Sequence, residues 1–326
     1  MLTRALKGRD FISLMDFTKE ELETMLEVAF WLKTQAAVGV FPELLKGKTL
    51  GMLFAKPSTR TRVSFEVGMT QLGGHAQFYD PEHLQLAHKE TMEDTARVLS
   101  RYIDGIMIRL YGLEKYGDAR KILRSFADNA TIPVINALDD KEHPCQIMAD
   151  IMTMKEKFGD IRDKKIVMSW AYSDRIKSAG VPQTMLIAAG IMGFNLTLAY
   201  PPKYDVDPEY LEFAKEAARK SGAHIEITHD IYEAAKDAHV IYAKSWGSFL
   251  MSKEEDAEYR KQFRKDWCIS EEHFKEADPN AVFMHCLPAD RNQEVTDEVI
   301  DGPRSIVYDE AENRLHIQKA IMALIM

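Results

Sequence analysis

The chain has 326 residues, of which 46% are hydrophobic and 29% charged, and a formal net charge of −9. That length suits two domains of about 150 residues each, and the composition is ordinary for a globular protein. The negative charge argues against a nucleic-acid partner, which would favour a basic face, but it is compatible with a small anionic ligand held by a local basic cluster.

Short apolar runs alternate with helical patterns from one end of the chain to the other. The predicted strands are residues 49–54, 75–79, 105–110, 133–137, 165–170, 195–200, 224–228, 239–243 and 281–286. Helical periodicity covers, among others, residues 61–72, 91–101, 146–158, 183–192, 208–221 and 309–325. Nearly continuous apolar strands alternating with helices are typical of buried parallel sheets with right-handed crossovers. We therefore predict an α/β fold with two doubly wound parallel-sheet domains.

The predicted domain boundary lies at the start of the long helix that separates the first four strands from the last five. Residues 1–145 then form the first domain and residues 146–326 the second, and the last helix, 309–325, packs back across both. In open α/β sheets, ligands bind at the carboxyl ends of the strands. The polar residues that follow the predicted strands are therefore the candidates for a site.

The most informative segment follows the first strand and reads Pro57-Ser58-Thr59-Arg60-Thr61-Arg62. The start of a helix offers free backbone N–H groups to an anion. Hydroxyls add donors, and the planar guanidinium matches phosphate. The segment predicts a site for a small phosphorylated molecule; the alternative is that Ser58 or Thr59 is only an N-cap, which needs one hydroxyl and no arginine.

Two later strands of the first half also end in polar residues. Arg109 would place a cation at the same edge of the sheet, the alternative being an ordinary solvated arginine. The next strand is followed by His143-Pro144-Cys145-Gln146, in which Pro144 suits the first position of a helix. His143 and Gln146 could then polarise a carbonyl oxygen and orient a neighbouring amide group. A structural histidine is the alternative for His143.

The second half carries three further candidates. His285-Cys286-Leu287-Pro288 closes the ninth strand, Lys244 and Trp246 follow the eighth and suggest a second ligand's site, and Arg314 lies near the start of the last helix. The neighbouring glutamates offer Arg314 an ion pair on a solvated face as its alternative role. The His/Cys pairs lack the spacing of a zinc site, so we predict no metal. Cys286 as a covalent nucleophile stays open, with His285 as the only adjacent base.

Cysteine usage and the absence of a leader pattern bear on location. The three cysteines are too few and too scattered for a disulfide framework, which favours a reducing, cytoplasmic setting. Residues 1–10 are charged and lack the apolar core of a signal peptide. The most apolar stretch, 185–200, is interrupted by two glycines and an asparagine, so we expect no membrane association.

Four motifs in order, at residues 58–62, 143–146, 285–288 and 312–314, resemble the aspartate/ornithine carbamoyltransferase family, on its ornithine side. The similarity runs along nearly the whole chain and includes residues 90–102 and 294–301. It implies transfer of a carbamoyl group from carbamoyl phosphate to the amine of an amino acid, as in arginine biosynthesis, with no cofactor. It also implies a carbamoyl-phosphate domain, then an amino-acid domain, and a homotrimer with active sites at subunit interfaces.

The resemblance implies a role for each motif residue. The phosphate would be held by Ser58, Thr59, Arg60 and Thr61, and Gln85 lies where a loop of the neighbouring subunit reaches in. The carbamoyl group would be held by Arg109, His143, Gln146 and Arg314. Cys286 and the carbonyl of Leu287 would flank the attacking amine.

The second domain departs from the ornithine pattern. Ornithine enzymes hold the α-amino group with an Asp beside a Ser-Met-Gly run, whereas this chain has Lys244-Ser245-Trp246-Gly247, and the turn after residue 170 is longer. Both features resemble the N-acetylornithine carbamoyltransferases, whose second domain is knotted. The candidate acceptor contacts are Lys244, Trp246, Trp170 and Lys319. The predicted acceptor is ornithine or an ornithine-like molecule, N-acylated ornithine included.

Two rival interpretations stay open at this point. A family member could act on a different amine or run in the catabolic direction, and product analysis with a panel of amines would separate these. A non-catalytic protein that kept the phosphate pocket would bind phosphate and form no ureido product. The intact set of His143, Gln146, Cys286 and Arg314 argues against this second rival.

Overall fold

The computed structural model describes residues 3–80 and 90–326, and the chain divides into two compact units. Unit 1 is Met1–Met152 together with Glu312–Met326, and unit 2 is Thr153–Ala311. The boundary expected after residue 145 falls at the start of the helix Pro144–Phe158, and the two units divide within that helix.

Unit 1 contains a four-stranded parallel sheet in the order β2-β1-β3-β4. Its strands are β1 (Thr49–Phe54), β2 (His75–Tyr79), β3 (Gly105–Arg109) and β4 (Val134–Leu138). Its helices are α1 (Lys19–Ala37), α2 (Thr59–Gln71), α3 (Met92–Leu99), α4 (Asp118–Asn129) and the first part of α5 (Pro144–Phe158). Strands β3 and β4 are buried at every residue, which explains why they are apolar apart from Arg109 and Asn136.

Helix α4 illustrates how the helices of unit 1 cover the sheet. Its buried residues are Ala119, Leu123 and Phe126, and their spacing of four and three places them on one face. Leu123 and Phe126 join Ile106 of β3 and Val134 of β4 in one hydrophobic cluster. This packing leaves the start of α4 near the end of β4, where the candidate residue His143 follows.

Unit 2 contains a five-stranded parallel sheet in the order β7-β6-β5-β8-β9. Its strands are β5 (Lys165–Trp170), β6 (Asn195–Ala199), β7 (Ile225–Thr228), β8 (Val240–Lys244) and β9 (Val282–Met284). Its helices are α6 (Gly180–Met192), α7 (Pro208–Ser221), α8 (Ile231–Ala235), α9 (Lys253–Tyr259) and α10 (Asp297–Ile300). The last helix, α11 (Val307–Ile325), belongs to unit 2 up to Ala311 and to unit 1 from Glu312 onward.

Helix α6 packs closely on α7, and this contact depends on a glycine. Nearly all residues of α6 are buried, as its apolar sequence predicts. A Cβ atom on Gly190 would lie 2.6 Å from the backbone oxygen of Ala214 in α7. A side chain at residue 190 would therefore push the two helices apart.

The predicted α/β class with two parallel sheets is confirmed, and the strand positions agree closely with the sequence-based ones. Among the described residues, the largest difference is in β9, which ends at Met284, two residues before the predicted end. The backbone N–H of His285 donates to the Glu310 carboxylate at 3.0 Å, so it is not available to continue the strand ladder. Helix α2 begins two residues earlier than predicted, at Thr59.

The structure also bears on membrane association. Across residues 3–80 and 90–326, no helix combines the length and the apolar character that a bilayer span needs.

A buried arginine ties two loops of unit 2 to helix α9. The Arg260 Nε and Nη2 atoms donate to the Asp256 carboxylate, each at 2.9 Å. Its Nη1 donates to the backbone oxygen of Ser173 at 2.8 Å, and its Nη2 donates to that of Trp246 at 3.3 Å. The Arg260 and Asp256 side chains are only 1% and 2% exposed. The loops that follow β5 and β8 are therefore fixed by one guanidinium.

We expect Arg260→Met to lower the free energy of unfolding by about 3–5 kcal/mol, because it leaves the buried carboxylate of Asp256 without its cation. The matched control is Lys261→Met, which removes a pair with Glu258 whose side chains are 58% and 77% exposed. That variant should change the free energy of unfolding by less than about 1 kcal/mol. Urea unfolding followed by circular dichroism measures both, and equal effects would contradict the role assigned to Arg260.

Candidate active site

The predicted phosphate-binding segment forms the turn from β1 into helix α2. Ser58 is the N-cap of α2, and its Oγ accepts a hydrogen bond from the Thr61 N–H at 3.3 Å. Ser58 thus does cap the helix, while Thr59, Arg60 and Thr61 form its first turn. The early N–H groups and the positive end of the helix dipole lie where β1 ends, an arrangement that favours an anion.

The last helix brings Arg314 to this turn. Its Nη2 donates to Thr61 Oγ1 at 3.3 Å, and its Nη1 donates to Gln146 Oε1 at 2.6 Å. All three side chains are buried. The structure therefore joins residues that are far apart in sequence, from the β1–α2 turn, from α5 and from α11, into one polar cluster.

Arg109 adds a second buried guanidinium in unit 1. It ends β3, and its Cα is paired in register with that of Phe54 at the end of β1. Burial lowers the pKa of Arg109, and the positive charges of Arg314 and Arg60 lower it further. Its Nη1 donates to the backbone oxygen of Ala137 at 3.4 Å. Arg314 and Arg60 thus both repel Arg109, and a bound anion would relieve that repulsion.

His143 precedes helix α5, as the sequence predicts from Pro144. Its backbone oxygen accepts from the N–H groups of Gln146 and Ile147 at 3.0 and 3.2 Å, and its side chain is buried. Gln146 Nε2 donates to Asp150 Oδ1 at 2.8 Å, which orients the amide so that its oxygen faces Arg314. This arrangement places a histidine and an oriented amide at the carboxyl edge of the sheet.

The cysteines of the two motifs differ in their surroundings. Cys145 is fully buried, and burial raises the pKa of its thiol to about 12, so it is a thiol at neutral pH. Cys286 is partly exposed. In the described part of the chain, no group of three or more His, Cys, Asp or Glu side chains is placed to hold a metal ion.

In unit 2, a buried glutamate organises the polar residues that follow β8 and β9. Glu294 accepts from the backbone N–H groups of Ser245 and Asp290 at 2.9 and 2.8 Å, and from Lys177 Nζ at 2.5 Å. Burial raises the pKa of Glu294, but the interaction with His285 and the charges of Lys244 and Lys177 outweigh burial and hold this pKa far below its ordinary range. Lys244 ends β8 and donates to its neighbour's backbone oxygen at 2.5 Å. Burial lowers the pKa of Lys244, while the charge of Glu294 opposes that shift.

The same glutamate lies beside His285, which shapes the segment before Cys286 and Leu287. His285 Nε2 is 3.3 Å from Glu294 Oε2, and its Nδ1 accepts from the Leu287 N–H at 2.8 Å. An acceptor role for Nδ1 implies that the proton is on Nε2. Leu287 has a φ of 52°, a left-handed conformation that a leucine seldom adopts. The hydrogen bond from its N–H to His285 helps to hold that conformation.

Comparisons with known proteins agree with this geometry. Two family models match the chain. The model for "Aspartate/ornithine carbamoyltransferase, carbamoyl-P binding domain" matches residues 9–156, and the model for "Aspartate/ornithine carbamoyltransferase, Asp/Orn binding domain" matches residues 143–325. An ornithine carbamoyltransferase from Thermococcus kodakarensis is 46% identical over 99% of this chain and 98% of that protein. The chain belongs to the aspartate/ornithine carbamoyltransferase family.

Solved structures of the family include relatives of both acceptor types. The ornithine carbamoyltransferase of Pyrococcus furiosus has a TM-score of 0.88 at 46% identity, over 98% of each chain. An N-acetyl-L-ornithine transcarbamylase has a TM-score of 0.90 at 37% identity, over 98% of this chain and all of the other. The predicted family is thereby confirmed, and the relatives cover both branches that the sequence motifs resemble.

The remaining acceptor candidates lie in different surroundings. Trp170 and Trp246 are fully buried, and their indole N–H groups donate to the backbone oxygens of Trp246 and Tyr204 at 2.9 and 2.8 Å. Lys319 lies in unit 1, where its Nζ donates to Gln71 Oε1 at 2.7 Å. Gln85 is outside the described residues. Acceptor contacts by the two tryptophans and Lys319 stay predictions.

The sequence patterns predicted no role for Glu294, Lys177 or Asp150. Glu294 stands within a segment that carried the family resemblance, but only its hydrogen bonds in the structure show that it joins the loops after β5, β8 and β9. Lys177 stands in the long turn after residue 170, a region that the sequence marked only by its length. A charged residue inside an otherwise ordinary polar loop gives no pattern that separates it from a solvated one.

The buried Lys319 gives a pH test of the fold. Burial lowers the pKa of its amino group from 10.5 to about 8. Between these two values the unfolded chain binds more protons than the folded one, so the stability contribution of Lys319 rises as the pH increases from about 8 to 10.5. We expect the free energy of unfolding of the wild type, measured relative to Lys319→Met, to rise between pH 7.5 and 10. Lys220 is an exposed helix residue, so the free energy of unfolding of the wild type relative to Lys220→Met should not change with pH. If both differences changed with pH to the same extent, the buried state of Lys319 would be contradicted.

Proposed function

We propose that this chain transfers the carbamoyl group of carbamoyl phosphate to the amine of ornithine or an ornithine-like acceptor, N-acylated ornithine included, and releases phosphate. The observation that carries the proposal is the buried contact of Arg314 with Gln146 and Thr61, beside Arg109 and the start of α2. That cluster combines cations, an amide and helix N–H groups, which are the groups that a dianion with an amide-like carbonyl needs.

The proposed roles follow from the chemistry of the transfer. Ser58, Thr59, Arg60 and Thr61 bind the phosphate at the start of α2. His143, Arg109 and Arg314 stabilise the negative charge that develops on the carbamoyl oxygen, and Gln146 holds the carbamoyl NH₂ group. A neutral amine attacks the carbonyl carbon, the C–O bond to phosphate breaks, and a proton of the amine leaves with the phosphate. Orientation and charge stabilisation carry this step.

On the acceptor side, we propose that Cys286 and the Leu287 carbonyl flank the attacking amine, and that Lys244 contributes to binding. The acids nearest to Lys244 are already engaged: Glu294 with Lys177, and Asp290 with Lys177 at 2.8 Å and with Arg175. A free α-ammonium would compete with these cations for the same carboxylates. This arrangement supports an acceptor whose α-nitrogen is uncharged, such as an N-acylated ornithine.

We also propose a cytoplasmic homotrimer in which the neighbouring subunit's Gln85 segment completes the site. Family membership supports the trimer. Exposed apolar side chains of α2 and β2 in unit 1, namely Val63, Val67 and Phe78, give such an assembly a surface to cover. The three cysteines are free thiols in the structure, which agrees with a reducing compartment. Light scattering on the purified chain measures the mass, and a monomer at micromolar concentration would contradict this proposal.

The phosphate half-site is tested by Arg60→Ala. We expect the affinity for a phosphonoacetyl analogue, measured by calorimetry, to fall at least about tenfold, since one charge-assisted contact is worth about 1.5–3 kcal/mol. The matched control is Arg62→Ala, whose guanidinium lies over the Phe78 ring at 4.2 Å and 3.7 Å from the Glu66 carboxylate. That variant should bind the analogue as the wild type does. Unchanged affinity for the analogue in Arg60→Ala would contradict phosphate binding at this turn.

The acceptor half-site is tested by Lys244→Ala. We expect the KM for the acceptor to rise at least about tenfold while carbamoyl-phosphate affinity stays unchanged, because the lost cation belongs to the second substrate's site. Initial rates of ureido formation give both constants, with ornithine and N-acetylornithine compared as acceptors. Lys236→Ala, an exposed residue paired with Glu233, serves as the control. A loss of carbamoyl-phosphate affinity without a change in the acceptor KM would reverse our assignment of the two half-sites.

A further inference from the structure

A short acidic loop joins the end of β4 to the start of α5 and ends in His143. It reads Asp139-Asp140-Lys141-Glu142, and the side chains of Asp139 and Glu142 are fully buried. Asp139 Oδ1 accepts from the backbone N–H groups of Lys141 and Glu142 at 2.9 and 2.7 Å. The Asp139 N–H donates to the Glu142 backbone oxygen at 3.1 Å. The loop is thus closed on itself immediately before His143.

One guanidinium joins both buried acids of this loop. The Arg120 Nε and Nη2 atoms donate to the two carboxylate oxygens of Asp139, the second at 3.2 Å. The Arg120 Nη1 atom donates to Glu142 Oε1 at 3.0 Å. The Arg120 side chain is only 12% exposed, and both acids are 0% exposed. A planar fork with its donors in fixed directions sets the distance between residues 139 and 142, which a flexible ammonium would not do.

The same loop is attached to two further elements. The Asp140 carboxylate accepts hydrogen bonds from the backbone N–H groups of Gly117 and Arg120 at 2.5 and 3.3 Å, so it caps the start of α4. Glu142 Oε2 accepts from the Leu14 N–H at 3.2 Å. Helix α4, the Leu14 segment and the loop are therefore one hydrogen-bonded body. His143 is the next residue of the chain after this body.

We propose that Arg120 is a positioning residue for the reaction, because its fork fixes the Asp139–Glu142 loop and so the place of His143 over the carbamoyl oxygen. This inference rests on the proposed function. Arg120 stands in the first turn of α4, and its guanidinium donates to both buried acids of the loop, so its proposed effect on His143 passes through the loop. Errors of about 1 Å in the position of a catalytic group can cost two orders of magnitude in rate.

The test uses Arg120→Lys, which keeps the charge and loses the fork, with Arg124→Lys as matched control. Arg124 stands one turn further along α4 and pairs with Asp16 on the surface at 2.7 Å. We expect Arg120→Lys to lower kcat at least about tenfold. The inhibition constant of inorganic phosphate should stay within about twofold of the wild type, since phosphate binds at the α2 turn. Arg124→Lys should leave both constants unchanged.

Two further measurements separate positioning from a general loss of structure. Methylguanidinium added to Arg120→Ala should restore part of kcat, and it should leave Arg124→Ala unchanged. The ¹⁵N shifts of the His143 imidazole should move in Arg120→Lys and not in Arg124→Lys, whether or not turnover is measured. Equal kcat values for the two lysine variants, or a phosphate constant that shifts as much as kcat, would overturn the inference. Absence of ureido formation by the wild type would instead overturn the proposed function, and the imidazole shifts would still decide the role of Arg120.

Discussion

The fold of unit 1 brings the guanidinium groups of Arg60, Arg109 and Arg314 together at one edge of a parallel sheet. The arrangement of the site depends on the repulsion of Arg109 by the other two positive charges. Two of the contacts that orient Arg314 are to neutral oxygens, those of Gln146 and Thr61. Neutral acceptors fix the direction of a guanidinium without cancelling its charge. On the proposed function, the folded chain carries this electrostatic cost in advance, and a bound dianion would offset it. Preorganised charge of this kind needs no reorganisation when charge moves onto the carbamoyl oxygen.

In unit 2, by contrast, the buried charges are paired with one another inside the protein. Glu294 and Lys177 neutralise each other inside the protein, and the backbone N–H groups of Ser245 and Asp290 satisfy the rest of the carboxylate. A charge network that is satisfied internally holds loops in place but offers little potential to a charged ligand. The two units thus differ in their charges: unit 1 gathers positive charge at one sheet edge, and unit 2 pairs its buried charges internally.

The sequence predicted the architecture and the grouping of the unit 1 candidate residues well, and the reason is physical. Unbroken apolar strands and periodic helices specify parallel sheets locally, and the carboxyl ends of parallel strands share an edge, so residues 58–61, 109 and 143–146 had to lie near one another. Arg314 and Glu294 could not be placed in this way. Their positions depend on how α11 and the loop after β9 fold back, and the local pattern around each is that of an ordinary charged surface segment. The burial of Trp170 and Trp246 also depends on distant contacts. The Trp170 ring packs on that of Tyr204, and the Trp246 indole N–H donates to the Tyr204 backbone oxygen.

The division between sheet edges and loops also explains how one family can keep its chemistry and change its acceptor. On the proposed function, the phosphate contacts would use helix N–H groups and residues at strand ends, which cannot move without changing the sheet itself. The acceptor contacts would come from the loops after β5, β8 and β9, which are joined by Glu294 and Arg260 through hydrogen bonds to backbone atoms. Because those anchors bind the main chain, the remaining side chains of the loops can vary without loss of the fold. On the proposed function, Lys244 at the end of β8 belongs to these loops, and its charge would disfavour an acceptor that brings a second positive charge beside it.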